Sequence, residues 1–589
     1  MYNKRPLNPV RSTQLNATIK YGYEEIVSLL NSLSLSNKQT VILDGTHGVN
    51  FKPLINEILL HFNQEEITLL STYDFLKSEE EIREFFDKNI TDNRAFGYVT
   101  EVEIDTYFEE DARETLQTFL GQQSDTKKMC IVWGPGASYL HSKDIDISLF
   151  LDVTRESQEI KHKESLMNFG FQTNIDAVEK FKISYFVEWP ILENYRKRNL
   201  SQFDYYVDLN DQNEPKLVTI TDFLAIIRDI SNFPLRVKPF FMPGVWGGQY
   251  LKKMADLPND MTNCAWNFEP IAPENSILVE NKGETMEIPF LLVMANANNA
   301  ILGDRIVGLF GDYFPVRLNF LDTIEGDNLS CQVHPKESFL REAFNEKLEQ
   351  QESYYIVETK GNPKVYLGFT EDVNIKEFKE TVEMSQKTGE AIPFTDYIQE
   401  WESKKGNLYH IPSGTVHCAG KNNLVLEISS TTWWFTFKIY DYVRKDLDGK
   451  PRPINTDYGF ANVDSYKDKP WVENNLLPKP KMINKQGSNE EYDLGKRDDL
   501  LFFVNRIHLD TQWIDNTNGE FLLFNLVEGD KVRIISLKDT SVFVDINYGE
   551  SYILPAVFGA FQLENNGEVP CKLIKAGVSP NWDVKMTDD

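Results

Sequence analysis

The hydrophobic pattern of this chain changes period near residue 236, and that change limits the available folds more than any single motif does. Up to about residue 235, TVILDG (residues 40–45), MCIVWG (129–134) and DISLFLDV (146–153) are short, strand-like apolar runs. Between them, SEEEIREFFDKN and EEDARETLQTFLG space their apolar residues three and four apart behind acidic first turns, as amphipathic helices do. Strands alternating with helices predict a mostly parallel, three-layer α/β domain over residues 1–235. From RVKPFFMPGVWGG (236–248) onward the texture is different. SILVE, YYIVE, KVYLGF, NLYHIP, LVLEIS and FTFKIYDY recur between turn residues, a pattern of β-barrels or sandwiches.

With 589 residues the chain exceeds one ordinary hydrophobic core, so several domains are expected. Within the β-rich part, KESFLREAFNEKLEQ and the stretch from Val373 to Gly406 read as helices, predicting a helical insertion over about residues 336–404 of a domain spanning 236–480. A polar, Lys- and Pro-containing stretch over residues 478–499 reads as a linker. Residues 481–589 then return to β texture as a C-terminal domain.

The 61 basic against 90 acidic residues give a formal charge of -29, which repels phosphate backbones and anionic lipid headgroups. Nucleic acid and membrane are therefore not expected partners. No run approaches the roughly 20 apolar residues of a membrane span, and the N-terminal residues lack the apolar run of a signal peptide. Five cysteines without a CxxC pair agree with a reducing compartment. The expectation is a cytoplasmic protein acting on a small molecule.

LSCQVHP (329–335) carries the sharpest chemistry. Residues two apart on a strand share a face, so Gln332 and His334 can point together into a β interior. Glu352, in ESYYIVE, and His417, in IPSGTVHCAG, fall on later strands. Two imidazoles, a carboxylate and an amide oxygen suit zinc or a similar divalent cation, with room for substrate or water. The plain alternative is two buried histidines satisfied by hydrogen bonds, since no HExxH spacing is present.

Taken in order, FFMPGVWGGQYL, FPVRLNFLDTIEGDNLSCQVHP, ESYYIVE, GNLYHIPSGTVHCAGKNNLVLEIS and FTFKIYDYVRKDLDGKPRPINTDYGF resemble class I mannose-6-phosphate isomerases over about residues 236–589. The resemblance implies a zinc enzyme of two cupin barrels that interconverts mannose 6-phosphate and fructose 6-phosphate through an enediolate. By motif, Gln332, His334, Glu352 and His417 match the four metal ligands, Glu427 a pocket carboxylate, and Ser330 a position beside substrate. Two positions depart from the family. Gln350 stands where the family has a Lys, and Lys438 where it has an Arg, while Arg444 keeps a second basic position. Lys438 preserves charge but lacks the planar fork that grips an anion at two points. The implied roles are Lys438 and Glu427 in catalysis, Ser330 and Arg444 at substrate. A sugar sensor with weakened catalysis, or a bifunctional kinase and isomerase, are the competing expectations.

A second candidate is TVILDGTHGVNFK, which leaves a strand and enters a helix as a phosphate-binding P-loop does. Gly45, Gly48 and Lys52 are its nucleotide-binding candidates. Asn50, Phe51 and Lys52 stand where that motif needs Gly, Lys and a hydroxyl, so the phosphate-reaching ammonium and the Mg²⁺-binding hydroxyl are missing. With VWGPGA and LFLDVTRE, this half resembles the uridine kinase and nucleoside monophosphate kinase fold, as a degenerate P-loop domain. Gly134 and Gly136 can equally be turn glycines.

Overall fold

The computed structural model describes residues 1–33, 39–63, 65–123, 128–173, 176–430, 435–445 and 451–586. Two compact units divide the chain: residues 7–230 with 276–296 in one, and residues 1–6, 231–275 and 297–589 in the other.

The first unit is built on a seven-stranded sheet in the order Lys20–Tyr21, Lys216–Thr219, Tyr205–Asp208, Ile147–Asp152, Gln39–Gly45, Met129–Trp133, Ile67–Ser71. The last five are parallel, Lys216–Thr219 runs antiparallel to them, and Lys20–Tyr21 pairs antiparallel with Lys216–Thr219. The continuous apolar runs fit this placement, because central parallel strands are covered on both faces. Val41 and Leu43 pack with Ile131, Leu149 and Leu151 against Leu30 of helix Tyr23–Leu33 and Leu54 of helix Lys52–His61. Ser276–Asn281 also belongs to this unit, pairing in parallel with Leu7–Pro9 and antiparallel with Glu284–Pro289. A single division at residue 236 does not capture that segment. Its partner strand lies some 270 residues earlier, and pairing at such separation leaves no local pattern to read.

The second unit contains two pairs of antiparallel sheets. In one pair, a six-stranded sheet runs Leu408–Ile411, Glu352–Thr359, Asn423–Ser430, Val316–Asp322, Trp266–Phe268, Phe240–Met242. Its five-stranded companion runs Ile398–Glu402, Lys364–Phe369, His417–Ala419, Cys331–Val333, Phe437–Tyr440. The helical insertion expected over about 336–404 takes a divided form. Helices Glu337–Phe344 and Ile375–Thr388 are parted by strands Glu352–Thr359 and Lys364–Phe369. The sequence ESYYIVET explains the division, since its aromatic and β-branched residues are buried in the centre of a sheet.

The other pair comprises a six-stranded sheet and a four-stranded sheet from residues 481–578. Trp513, Phe524, Ile534, Phe561 and Leu573 are among its core residues. Burying each large apolar side chain contributes about 1.5–3 kcal/mol. The stretch 478–499, read as a linker, instead begins this pair with a hairpin of Lys481–Gln486 and Asn489–Asp493. Gly487, at φ +63°, opens the two-residue turn that a right-twisted hairpin requires. Its outer strand is exposed and lysine-bearing, which suits an edge and hides the strand from a reading based on hydrophobicity. Among the described residues, no helix is long and apolar enough to cross a membrane. All five cysteines are buried and free.

Candidate functional site

The six- and five-stranded sheets of the second unit bring Gln332, His334, Glu352 and His417 together. Gln332 lies directly opposite His417, and Lys438 directly opposite Gln332. Cross-strand partners share a face, so all three point the same way from their sheet. Glu352 reaches them from the other sheet. His334 Nε2 lies 2.8 Å from Glu352 Oε1, and His417 Nε2 lies 3.3 Å from Glu352 Oε2. The ligand atoms of His334, Glu352 and His417 all fall within 4.8 Å of one another. None of the three residues is more than 1% exposed.

Backbone and hydroxyl groups fix how the imidazoles face the cluster. His417 Nδ1–H donates to the Thr415 carbonyl at 2.8 Å, directing Nε2 toward Glu352 and Gln332. Thr436 Oγ1 lies 3.4 Å from His334 Nδ1 and orients that ring similarly. Such outer partners select the tautomer that offers a lone pair to a metal. Gln332 Nε2 is 3.3 Å from His417 Nε2, and rotating the amide presents Oε1 at the same place. His334 Nε2 and Glu352 Oε2 are buried without an aligned hydrogen bond. Two unsatisfied atoms at the focus of a His, Glu, His and Gln set fit a divalent cation, whose bonds of about 2.0–2.2 Å lie within reach of all the donors.

Charge in the cluster is balanced tightly. Burial alone pushes the Glu352 carboxyl up, but His334 and His417 outweigh it and hold the group well below the usual carboxylate range. Gln350 Nε2 donates to Glu352 Oε1, and Gln350 Oε1 is buried without a partner. Glu427 is pushed up to about 7 by burial and then by the Glu352 charge, against Arg317. A dication on Glu352 would cancel the second contribution and leave the first. A carboxyl raised by burial is suited to moving protons.

The remaining candidates separate into two groups. Glu427 accepts hydrogen bonds from Ser429 Oγ at 2.7 Å, Asn319 Nδ2 at 3.0 Å and Arg317 Nη2 at 3.4 Å. Its sheet register with Tyr354 and Asn319 places it on the face that carries Glu352. Ser330 and Arg444 instead converge on buried Asp441, with Ser330 Oγ–H at 2.7 Å and Arg444 Nη2 at 2.8 Å from Oδ1. Arg444 Nη1 also donates to the Asn328 carbonyl, and Arg452 holds the other Asp441 oxygen at 2.7 Å. Among the described residues these contacts tie down the end of strand Phe437–Tyr440 and do not reach the histidine cluster. Arg317 and Asn319 were not singled out from the sequence. Their signal is the alternation in VRLNFLD, where two polar residues share a face of an otherwise apolar strand.

In the first unit, Gly45 ends the central strand and Gly48, at φ +92°, bends the loop before helix Lys52–His61. Steric reasons exist for both glycines. A Cβ on Gly45 would meet the Leu151 carbonyl at 2.7 Å, and one on Gly48 would meet Gln158 Cγ at 3.2 Å. Gln158 Nε2 donates to the His47 carbonyl at 2.7 Å and Lys161 Nζ to the Gly48 carbonyl at 2.9 Å. His47 is buried, paired with Glu188 and with its Nε2–H on the Met167 carbonyl at 2.8 Å. Phe51 packs beside Trp133, whereas Lys52 is exposed. The loop is thus held by the protein's own side chains. Calorimetry with ATP and Mg²⁺ is expected to show weak or no binding, because no ammonium from this loop reaches a phosphate. Tight ATP binding lost on altering Gly48 or Lys52 would refute this.

Residues 22–232 match a family described as a domain of unknown function (DUF8485). The mannose-6-phosphate isomerase ManA of Bacillus subtilis is 26% identical over 336 residues, covering 57% of this chain and 97% of the relative. The mannose-6-phosphate isomerase of Streptococcus mutans is 28% identical over 230 residues, covering 38% of this chain and 65% of the relative. A crystal structure of the mannose 6-phosphate isomerase from Bacillus subtilis aligns with a TM-score of 0.47 at 21% identity, covering 58% of this chain and 99% of that one. The chain thus carries a segment similar to mannose-6-phosphate isomerases, alongside an N-terminal family of unassigned role.

Proposed function

We propose that this protein is a metal-dependent aldose–ketose isomerase that interconverts mannose 6-phosphate and fructose 6-phosphate in the cytoplasm. The observation that carries the reading is the buried convergence of His334, Glu352 and His417, with Gln332 beside them. In this reading the two pairs of antiparallel sheets are cupin barrels, and the first unit is a degenerate P-loop domain. Its parallel core with a glycine loop after the central strand supports that ancestry.

Gln332, His334, Glu352 and His417 would hold a zinc ion, which when bound polarises substrate oxygens as a Lewis acid. The chain's own groups then divide the remaining work. Glu427 accepts and returns the proton that moves between C2 and C1, since burial raises its carboxyl above the usual range and makes it a better base. Lys438, on the face of Gln332, stabilises the oxygen that becomes negative in the enediolate. Ser330 and Arg444 act through Asp441 to set the end of the strand that bears Lys438.

Metal analysis joined to a coupled assay tests the proposal. One divalent metal per chain and turnover of mannose 6-phosphate, with far weaker turnover of unphosphorylated hexoses, are expected. A metal-loaded protein that turns over none of these sugars would sink the enzyme reading and favour a sugar sensor, in line with Gln350 and Lys438 departing from the family.

A further inference from the structure

We propose that Arg317 anchors the anionic end of the substrate in the metal-bearing β pair, separately from the catalytic work of Lys438. The inference rests on the isomerase reading above and adds the group that recognises the phosphate. Strand register makes the argument. Arg317 lies directly opposite Ser429, and Ser429 directly opposite Glu352. The three side chains form one row on one face, with Arg317 two strands from the metal-ligand position. Two strand spacings are about 9.5 Å. That is the separation of the backbone positions; the guanidinium itself reaches back to Ser429, one strand from Glu352, and so lies within reach of an anionic group on a substrate bound at the metal ligands.

The guanidinium is already oriented for such a contact. Nε donates to Ser429 Oγ at 2.7 Å and Nη2 faces Glu427 Oε1 at 3.4 Å. These contacts fix the plane of the group. Nη1 has no hydrogen-bond partner among the described residues, and the side chain keeps 11% exposure, so one edge stays open to a ligand. A cation held by two partners with its third nitrogen free loses little entropy on meeting an anion. Phosphate oxygens are acceptors of the geometry that this edge matches.

Hydrogen bonds to charged groups contribute about 1.5–3 kcal/mol, which corresponds to roughly ten- to a hundredfold in affinity. Arg317→Met is therefore expected to raise the KM for mannose 6-phosphate by that factor, with a smaller change in kcat through its contact with Glu427. It should also weaken inorganic phosphate binding, measured by calorimetry on the metal-loaded full chain, by at least tenfold. Metal content should not change. If Arg317→Met does not fold, because Glu427 loses a partner, Arg317→Lys decides the matter. It keeps the charge without the fixed plane, and a KM and phosphate affinity within twofold of the parent would overturn the proposal. A fall in kcat at constant KM in either variant would overturn it too, by making Arg317 a positioning residue for Glu427. A parent protein inert toward mannose 6-phosphate would defeat the isomerase reading instead. In that case phosphate calorimetry still judges Arg317, and a parent that binds no phosphate would overturn the anchor.

Discussion

Replacing His334 or His417 by Ala is expected to remove the divalent metal and the isomerase activity together. Each imidazole has its Nδ1 engaged by an outer group, Thr436 for His334 and Thr415 for His417, so each contributes its Nε2 to the shared centre. Loss of one leaves a Gln, a Glu and a single His, a set with too few good donors to compete with water for zinc. The effect on stability is a separate matter. Glu352 is held in its charged form by His334 and His417 against the cost of burial. In the metal-free protein, removing either partner leaves the buried carboxylate less compensated and lowers stability. Metal content by elemental analysis and thermal unfolding should therefore both change. A second pair of variants separates the two effects: Thr415 meets His417 through its backbone carbonyl while its hydroxyl bonds the Pro412 carbonyl and Lys467 Nζ, so Thr415→Val should cost stability yet leave metal bound, whereas Thr436→Val should weaken metal binding modestly. Stoichiometric metal in both histidine variants would refute the assigned ligand set.

Gln332 and His334 were legible as neighbours because their placement is local, whereas Glu352 and His417 were joined to them only by the resemblance to class I mannose-6-phosphate isomerases. Gln332 lies in strand Cys331–Val333 and His334 one residue past its end, and the period of two is enough to place them on one face. Arg317 was not legible on the same terms. The role proposed for it depends on the register of three strands, Val316–Asp322, Asn423–Ser430 and Glu352–Thr359, which come from separate parts of the chain. Ser330 and Arg444 illustrate the converse case. Both lie close in sequence to candidate residues, and only the fold reveals that Asp441 holds them. The glycines of the N-terminal loop carried two meanings at once. A strand, a glycine turn and a helix can cradle phosphate, or can let Gly45 approach the Leu151 carbonyl, and only the contacts distinguish these. The hairpin at Lys481–Asp493 was hidden for another reason: an exposed edge strand has no apolar face to betray it.

Lys438→Met should lower kcat by something like a hundredfold or more and leave KM and metal content nearly unchanged. Strand Phe437–Tyr440 sets the direction of Lys438. Phe437 packs against Phe339 and Tyr458, whereas Thr436 approaches His334. Alternation then sends Lys438 with Thr436, and the pairing with Gln332 confirms the face. Asn455 fixes the backbone on both sides, donating to the Lys438 carbonyl at 2.7 Å and accepting from its N–H at 3.3 Å. In the proposed reaction, a cation so placed would interact with an oxygen that is neutral in the aldose and negative in the enediolate. Its contribution is therefore larger in the transition state than in the bound substrate, and it enters kcat. Arg317 is the contrasting case, because a phosphate is charged throughout and its contact enters KM. Methionine keeps the length and most of the volume of lysine, so packing changes little. Lys438→Arg should retain activity, since charge is preserved and the guanidinium can reach the same oxygen. The two variants, measured with mannose 6-phosphate on metal-loaded protein, give a direct decision. Near-normal kcat in Lys438→Met would show that this lysine is structural, and would leave Glu427 and Arg317 as the charged groups that act on substrate.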